Sequence, residues 1–271
     1  MEKTQTFFIC MISALMTVML ISMETKPTKA ESIKVLEDDE LYVAFLNLPD
    51  GEATLIRTNN EKSYLINTGS ERSEEELLFQ LKELDIKQID GLILTKQTKD
   101  YCGNAERLID RYNIENTFHT GELSNLCNQQ VSSKTKLIKW SSNTQEELSD
   151  QLIFKVLVAD ANGEMSLGIT YGNNSIMYLS NSDVDSEQTI LKHAFKPKIL
   201  KVGDYGKGNS PSFAFLKEID PHISIVFNSE GSVPNEGLIE RLNESWVDVY
   251  RLKQVGTTII KMDLKDYDIL S

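Results

Sequence analysis

The amino-acid sequence predicts an α/β (α+β) chain in which two β-sheets pack face to face between outer helices, a four-layer αββα sandwich. Three observations lead to this prediction. A meander of short strands opens at residue 41 and passes into alternating strands and helices, the same order returns after residue 152, and glycine-containing loops follow the strands. Each sheet must bury an apolar face against the other, and outer helices cover the remaining faces. We expect one domain over residues 31–271, made of two similar halves at about 41–160 and 161–271.

The first half is predicted from apolar runs and turn signals. Short β-rich runs separated by PDG and NNEK turns indicate an antiparallel meander, and the nearly continuous apolar run IDGLILT indicates a strand buried on both faces. The run SEEELLFQLKEL places its leucines on one helical face. The predicted strands span 41–48, 52–58, 63–68, 89–95 and 116–120, and the predicted helices span 73–84 and 103–112. The polar stretch 122–151 shows no regular pattern.

The second half follows the same plan. ANGE and NN turns separate three strands, and strands and helices then alternate. The runs VDVYRL and TTIIKMD are predicted to close the chain as a terminal hairpin. The predicted strands span 152–159, 165–172, 175–181, 198–203, 222–228, 247–252 and 257–263, and the predicted helices span 186–194, 211–219 and 236–244.

Composition and charge indicate a globular protein and argue against nucleic-acid binding. The chain has 271 residues, 40% of them hydrophobic and 25% charged, which is ordinary for a globular protein. Its formal charge of −13 argues against nucleic-acid binding, because that binding depends on Lys and Arg meeting phosphates. We expect most of this charge on a solvated surface, where it keeps the protein soluble.

Residues 1–30 have the pattern of a secretory signal peptide. An uncharged apolar run extends from Phe7 to Met23, and the small residues Thr28 and Ala30 fit a cleavage site before Glu31. The alternative is an uncleaved N-terminal anchor, since the apolar run lies near the lower length limit for crossing a bilayer. Both alternatives predict an extracytoplasmic protein, either secreted or tethered to the membrane.

Two cysteines lie beyond the leader. In an exported protein Cys102 and Cys127 could form a disulfide, whereas two unpaired thiols are the other interpretation. The sequence leaves both open.

Several blocks of the sequence carry a resemblance to a known family. FLNLPDGEA (45–53), LINTG (65–69) and the stretches 84–104, 166–191 and 200–226 occur in the order of the corresponding family blocks. They resemble the metallo-β-lactamase-like hydrolase domain of competence-related DNA-uptake channel proteins. The resemblance extends over residues 41–263 and implies the αββα fold of that family.

The resemblance also indicates which positions would surround a metal centre. In the family these positions supply imidazoles and carboxylates to one or two metal ions, which need lone-pair donors in a fixed geometry. Histidines would stand at six of the positions and aspartates at two, and only the two aspartates agree. In order along the chain, the residues here are Lys96, Thr98, Asp100, Tyr101, Asp183, Asp204, Tyr205 and Val233.

These replacements predict a degenerate site. A lysine ammonium has no lone pair for a metal, and a metal is what activates water in this family. We therefore expect a pseudoenzyme with no cofactor, a binding or scaffold protein whose partner is another protein or a small ligand. The alternative is a residual hydrolase or phosphodiesterase. It would hold a hard cation such as Mg²⁺, Mn²⁺ or Ca²⁺ through Asp100, Asp183 and Asp204.

Lys96 suggests how such a site could persist without metal. Carboxylates that converge repel each other, and an ammonium among them would offer three donors and one positive charge. The sequence predicts that Lys96 replaces the cation, that Tyr101 and Tyr205 fill the vacated volume, and that their hydroxyls contact the aspartates. The other interpretation is that Lys96 points to solvent. On the first interpretation Lys96→Met lowers the melting temperature, with partial recovery in acid, and Lys99→Met changes little.

Overall fold

Two mixed β-sheets form the centre of the molecule. The computed structural model describes residues 36–131 and 133–270. The first sheet has the strand order β15-β14-β1-β2-β3-β4-β5-β6. Its strands are β1 (Leu41–Phe45), β2 (Thr54–Thr58), β3 (Ser63–Ile66), β4 (Gly91–Ile93), β5 (Asn116–His119), β6 (Lys136–Lys139), β14 (Thr258–Met262) and β15 (Tyr267–Ile269).

The second sheet has the order β13-β12-β11-β10-β9-β8-β7. In each sheet an antiparallel meander continues into parallel strands, from β3 to β6 in the first and from β10 to β13 in the second. The strands of the second sheet are β7 (Gln145–Ser149), β8 (Leu152–Ala159), β9 (Met165–Tyr171), β10 (Asn174–Tyr178), β11 (Ile199–Lys201), β12 (Ile223–Val226) and β13 (Asp248–Arg251).

Most of the helices connect parallel strands, and the last one lies between β13 and β14. They are α1 (Glu74–Glu83), α2 (Lys99–Cys102), α3 (Ala105–Tyr112), α4 (Asn125–Gln130), α5 (Val184–Leu191), α6 (Phe213–Ile219), α7 (Glu236–Glu244) and α8 (Leu252–Val255). The sequence of α1 favours a helix at this place. Three glutamates occupy its first turn and a lysine its last, which complements the helix dipole. Its buried residues Leu77 and Leu81 are four positions apart and so share one face.

The core includes two large clusters of buried apolar side chains. Between the sheets, residues such as Phe45 and Ile93 of the first sheet join one buried cluster with Phe154 and Ile225 of the second. A second cluster packs helices α5, α6 and α7 against the outer face of the second sheet, with Phe215 and Leu242 among its members. This arrangement confirms the predicted αββα sandwich, and the described residues belong to one compact unit.

The predicted terminal hairpin of 247–252 and 257–263 is wrong. Strand β13 pairs in parallel with β12 in the second sheet, whereas β14 crosses to the first sheet and pairs with β1. The hairpin partner of β14 is β15, which the sequence analysis did not identify. Local patterns give the strand character of a segment but not its partners. The second partner of β14 is β1, which lies more than 200 positions earlier in the chain.

The stretch 122–151 shows no regular sequence pattern, but in the structure it contains one helix and two strands. It holds α4, β6 and β7, and the last two are edge strands of different sheets. All four residues of β6 are exposed or half-buried, because an edge strand buries little of its surface. Strands before residue 140 belong to the first sheet and those from Gln145 to Arg251 to the second, with β14 and β15 returning to the first sheet.

The predicted leader, residues 1–30, lies outside the described residues. Within 36–131 and 133–270, none of the helices combines the length and apolar character needed to cross a membrane.

Candidate functional site

A cleft opens where the carboxyl ends of parallel strands from both sheets meet. In α/β folds, loops that follow such strand ends are the usual place for ligands. The loop after β4 and the loops after β10 and β11 meet here and enclose about 360 Å³. The lining residues are Lys96, Thr98, Asp100, Tyr101, Ser182, Asp204, Tyr205, Lys207 and Gly208. Six of the eight positions that the family resemblance indicated thus lie together.

Lys96 is bound between two carboxylates. Its Nζ donates to Asp204 Oδ1 at 2.7 Å and lies 2.7 Å from Glu164 Oε1. Burial by itself lowers the pKa of Lys96, but hydrogen bonds and charges from Asp204 and Glu164 outweigh burial and raise it overall. The side chain is therefore an ammonium at neutral pH. Glu164, on the loop between β8 and β9, was not identified from the sequence.

Asp204 has both carboxylate oxygens engaged. Oδ1 accepts from Lys96, and Oδ2 accepts from the backbone N of Ser182 at 3.0 Å and its Oγ at 3.1 Å. Asp204 and the next residue, Tyr205, have φ values of 45° and 57°, a left-handed conformation that is strained for side-chain-bearing residues. The turn Gly203–Gly206 thus holds the Asp204 carboxylate toward Lys96 and Ser182.

Two tyrosines form the floor of the cleft. The rings of Tyr101 and Tyr205 are buried, and their centroids lie 6.0 Å apart. The Tyr205 hydroxyl donates to Asp100 Oδ2, and Thr98 Oγ1 donates to Asp100 Oδ1 at 2.7 Å. Burial, with the charges of Glu52 and Asp100, raises the pKa of Tyr205, so this hydroxyl keeps its proton.

The Tyr101 hydroxyl turns away from the cleft. It donates to Glu52 Oε1 at 3.2 Å, so it does not contact the aspartates as the sequence analysis predicted. Glu52 lies in the turn between β1 and β2, which needs glycine at position 51. Gly51 has φ +92°, and a side chain there would collide with the backbone oxygen of Asp100 and the backbone N of Ser70. This turn brings Glu52 beneath the cleft floor.

Below the floor, Glu52 forms an ion pair with Lys201, and neither side chain has any exposed surface. Lys201 Nζ also donates to the backbone oxygen of Leu179 at 3.0 Å and lies 4.5 Å from the ring centroid of Tyr178. Burial disfavours both charged forms: it raises the pKa of Glu52 and lowers that of Lys201, while their mutual attraction opposes both shifts.

This ion pair cannot be recognised from the sequence. The available signal is a lysine inside the apolar run KILKVG of the predicted strand 198–203. A buried lysine requires a partner, but the pattern does not say which carboxylate supplies it.

Two of the eight positions lie apart from the cluster. Asp183 is exposed and caps helix α5, where its Oδ1 accepts from the backbone N of Asp185 at 3.0 Å. Val233 is 71% exposed on the loop before α7. The three aspartates of the alternative hard-cation site, Asp100, Asp183 and Asp204, therefore make separate sets of hydrogen bonds.

The donor set does not fit the metal centre of the resembling family. Imidazole positions hold an ammonium and phenols, and the carboxylates nearest the cleft already accept hydrogen bonds from Lys96, Ser182, Thr98 and Tyr205. Across 36–131 and 133–270, no group of three or more His, Cys, Asp or Glu residues is arranged to hold a metal ion.

A disulfide supports one wall of the cleft. Cys102 at the end of α2 is bonded to Cys127 in α4, with their Cα atoms 5.8 Å apart. Helix α2 carries Asp100 and Tyr101, so the bond fastens this short cleft segment to a neighbouring helix.

Comparison with known proteins gives one relative by sequence. No family model matches the chain. The chain is 24% identical over 190 residues to ComE operon protein 3 of Bacillus subtilis (strain 168). The alignment covers 64% of this chain and 24% of that protein, so the chain spans about a quarter of the length of the curated relative it matches.

Solved structures agree with the architecture. The metallo-beta-lactamase fold protein YhfI from Bacillus subtilis superposes with a TM-score of 0.60 at 13% identity, covering 83% of this chain and all of that one. The metallo hydrolase Igni18 from Ignicoccus hospitalis gives 0.55 at 12% identity, covering 84% and 98%. Zn²⁺-bound PqqB from Methylobacterium extorquens gives 0.52 at 12% identity, covering 78% and 97%.

Likeness at such low identity establishes architecture rather than activity. The strand order, the packing of the two sheets against each other and these superpositions agree. The chain therefore has the metallo-β-lactamase fold, and its sequence resembles part of ComE operon protein 3 of Bacillus subtilis.

Proposed function

We propose that this protein is a non-catalytic binding or scaffold protein that works outside the cytoplasm. Its partner would be another protein or a small ligand that contacts the cleft or its rim. Support for the location comes from the leader-like pattern of residues 1–30 and from the similarity to a competence-related protein.

One observation carries the non-catalytic part of the proposal. Lys96 stands where the resembling family has a histidine, and its ammonium lies 2.7 Å from both Asp204 and Glu164. An ammonium cannot donate a lone pair, and it competes with a metal ion for the same carboxylate oxygens. A bound metal would lower the pKa of a water molecule, the step that metal-dependent hydrolysis requires, so this route depends on a metal that Lys96 opposes.

The competing function is metal-dependent hydrolysis through a hard cation. It is favoured by the fold itself, since the structural neighbour Igni18 is described as a metallo hydrolase. In this chain it would rely on Asp100, Asp183 and Asp204, which are oxygen donors of the kind that Mg²⁺, Mn²⁺ and Ca²⁺ prefer.

Elemental analysis and a phosphodiesterase assay separate the two functions. We expect protein purified without chelator to contain far less than one metal ion per chain. We also expect no cleavage of bis-nitrophenyl phosphate above buffer with added Mg²⁺, Mn²⁺ or Ca²⁺. Near-stoichiometric metal together with cleavage that Asp204→Asn abolishes would establish the hydrolase instead. Cleavage that survives Asp204→Asn would not come from the site formed by Asp100, Asp183 and Asp204.

A further inference from the structure

Three charged side chains from three separate segments meet at the mouth of the cleft. Lys96 follows β4, Glu164 precedes β9 and Asp204 lies in the turn after β11. The side chains are 16%, 24% and 28% exposed, respectively, so the cluster is largely withdrawn from solvent. Partial burial makes the Coulomb interaction among these charges stronger than that of a surface ion pair.

The backbone holds the three segments together. The backbone N of Met165 donates to the oxygen of Thr95 at 2.9 Å, which fixes the Glu164 loop beside the loop that carries Lys96. Asp204 is fixed from the other side by Ser182, whose backbone N and Oγ donate to it at 3.0 and 3.1 Å. The two carboxylates are therefore held near one point, and their repulsion must be balanced by a cation.

Lys96 supplies that cation from within the chain. Its Nζ is 2.7 Å from each carboxylate and 5.8 Å from the ring centroid of Tyr101, which adds a cation–π contact. A tethered ammonium is present at a high effective concentration, so a free cation in solution must displace it to reach the same oxygens.

We propose that Lys96 is an internal counter-ion that keeps divalent cations out of the cleft by occupying the oxygens of Glu164 and Asp204. This inference rests on the proposed metal-independent function and goes further, because it assigns the exclusion of metal to one residue. It also brings in Glu164, which lies outside the motifs of the resembling family. Removing the ammonium would leave two fixed carboxylates, the ligand type that Mn²⁺ and related ions bind.

The test measures the melting temperature of the whole protein in chelator and in millimolar Mn²⁺ at neutral pH. We expect Lys96→Ala in chelator to melt roughly 2–4 °C below the wild type, because two like charges lose their partner. Added Mn²⁺ should restore part of this loss in Lys96→Ala but leave the wild type unchanged. The double variant Lys96→Ala/Glu164→Gln should lose the response to Mn²⁺.

Matched controls keep the result interpretable. Lys96→Arg retains the charge and should remain insensitive to Mn²⁺, as should Lys99→Ala, whose side chain is exposed at the start of α2. If Lys96→Ala does not fold, Lys96→Gln is compared in the same way, since it keeps a hydrogen-bond donor without charge.

The outcomes are decisive in both directions. Stabilisation by Mn²⁺ in the Lys96 variant and not in the wild type supports the inference. Equal stabilisation of both, or of neither, overturns it. A metal-free, inactive wild type with a variant that ignores Mn²⁺ would overturn only this inference, whereas a metal-loaded, active wild type would overturn the proposed function as well.

Discussion

Glu52 and Lys201 carry opposite charges in a part of the molecule without solvent contact. Burying two ions costs solvation free energy, which their attraction and their hydrogen bonds to Tyr101 and Leu179 offset. The pair joins the two sheets, because Glu52 belongs to the β1–β2 turn and Lys201 ends β11. It also supports the cleft floor, since Tyr101 donates its hydroxyl to Glu52.

The pair predicts an asymmetric result in a double-mutant cycle. Lys201→Met should lower the free energy of unfolding by about 3–5 kcal/mol, because it leaves a buried carboxylate without a counter-charge. The double variant Glu52→Gln/Lys201→Met should recover a large part of that loss. Urea denaturation measures both, with exposed Lys99→Met as a control that should stay within about 0.5 kcal/mol of the wild type. A double variant less stable than Lys201→Met would contradict this interpretation.

The same variant should depend on pH with a defined sign. In Lys201→Met the pKa of Glu52 rises further above its ordinary value of 4.5, because burial remains and the attraction is gone. The folded state then binds the proton more tightly than the unfolded chain, so stability falls as pH rises above 4.5. The deficit relative to the wild type should therefore be smaller near pH 4.5 than at about pH 7. A deficit that does not change with pH would exclude a buried, charged Glu52 as its cause.

Among the secondary-structure elements, the disulfide between α2 and α4 holds one wall of the cleft. It is also relevant to the proposed extracytoplasmic location, because disulfides persist in oxidising compartments. Helix α2 has only four residues, Lys99–Cys102, too short to be stable by itself. Its backbone is held by neighbours, for example through the bond from the N of Thr68 to the oxygen of Tyr101 at 2.7 Å. The covalent bond to Cys127 adds a constraint on the unfolded chain.

Thiol chemistry tests this element. Protein isolated from cells without reductant and then denatured should show no free thiol if residues 1–30 have been removed. It should show a single free thiol, from Cys10, if they are retained. The Cys102→Ser/Cys127→Ser variant should lose about 3–4 kcal/mol, as expected for closing a loop between cysteines 25 positions apart. Free thiols from both Cys102 and Cys127 would contradict the bond and weaken the proposal of export.

At the scale of the whole molecule, the C-terminal strands complete the first sheet. Strand β14 lies between β1 and β15, and its residue Ile260 pairs with Val43 across 217 positions of sequence and is fully buried. The first sheet is therefore incomplete without these C-terminal strands.

A core substitution in β14 tests how much this strand contributes to stability. Ile260→Ala should reduce the free energy of unfolding by about 2–5 kcal/mol, because it leaves a cavity between the sheets. Leu137→Ala on edge strand β6, where the side chain is 43% exposed, should cost clearly less. Urea denaturation of both variants gives the comparison, and equal losses would argue against a central position for β14.

The order and type of most elements, and the fold that they build, follow from the amino-acid sequence alone. Apolar periodicity and turn residues act over a few positions, so β1, β2, α1 and α7 could be predicted within a few residues of their observed bounds. The ordered motifs pointed to the αββα architecture and placed most of the cleft residues. They also singled out Lys96 as a candidate cation, since its position in the loop after β4 follows from the motif alone.

The tertiary structure decided what the motifs could not specify, namely which distant residues meet. In the folded chain Lys96 contacts Asp204, 108 positions away, and also Glu164. The Tyr101 hydroxyl donates to Glu52, and Asp183 caps a helix instead of lining the cleft. It also moved β14 into the first sheet. Each of these depends on how two sheets pack against each other, and a local pattern of side chains does not encode the partner of a strand or of a charge.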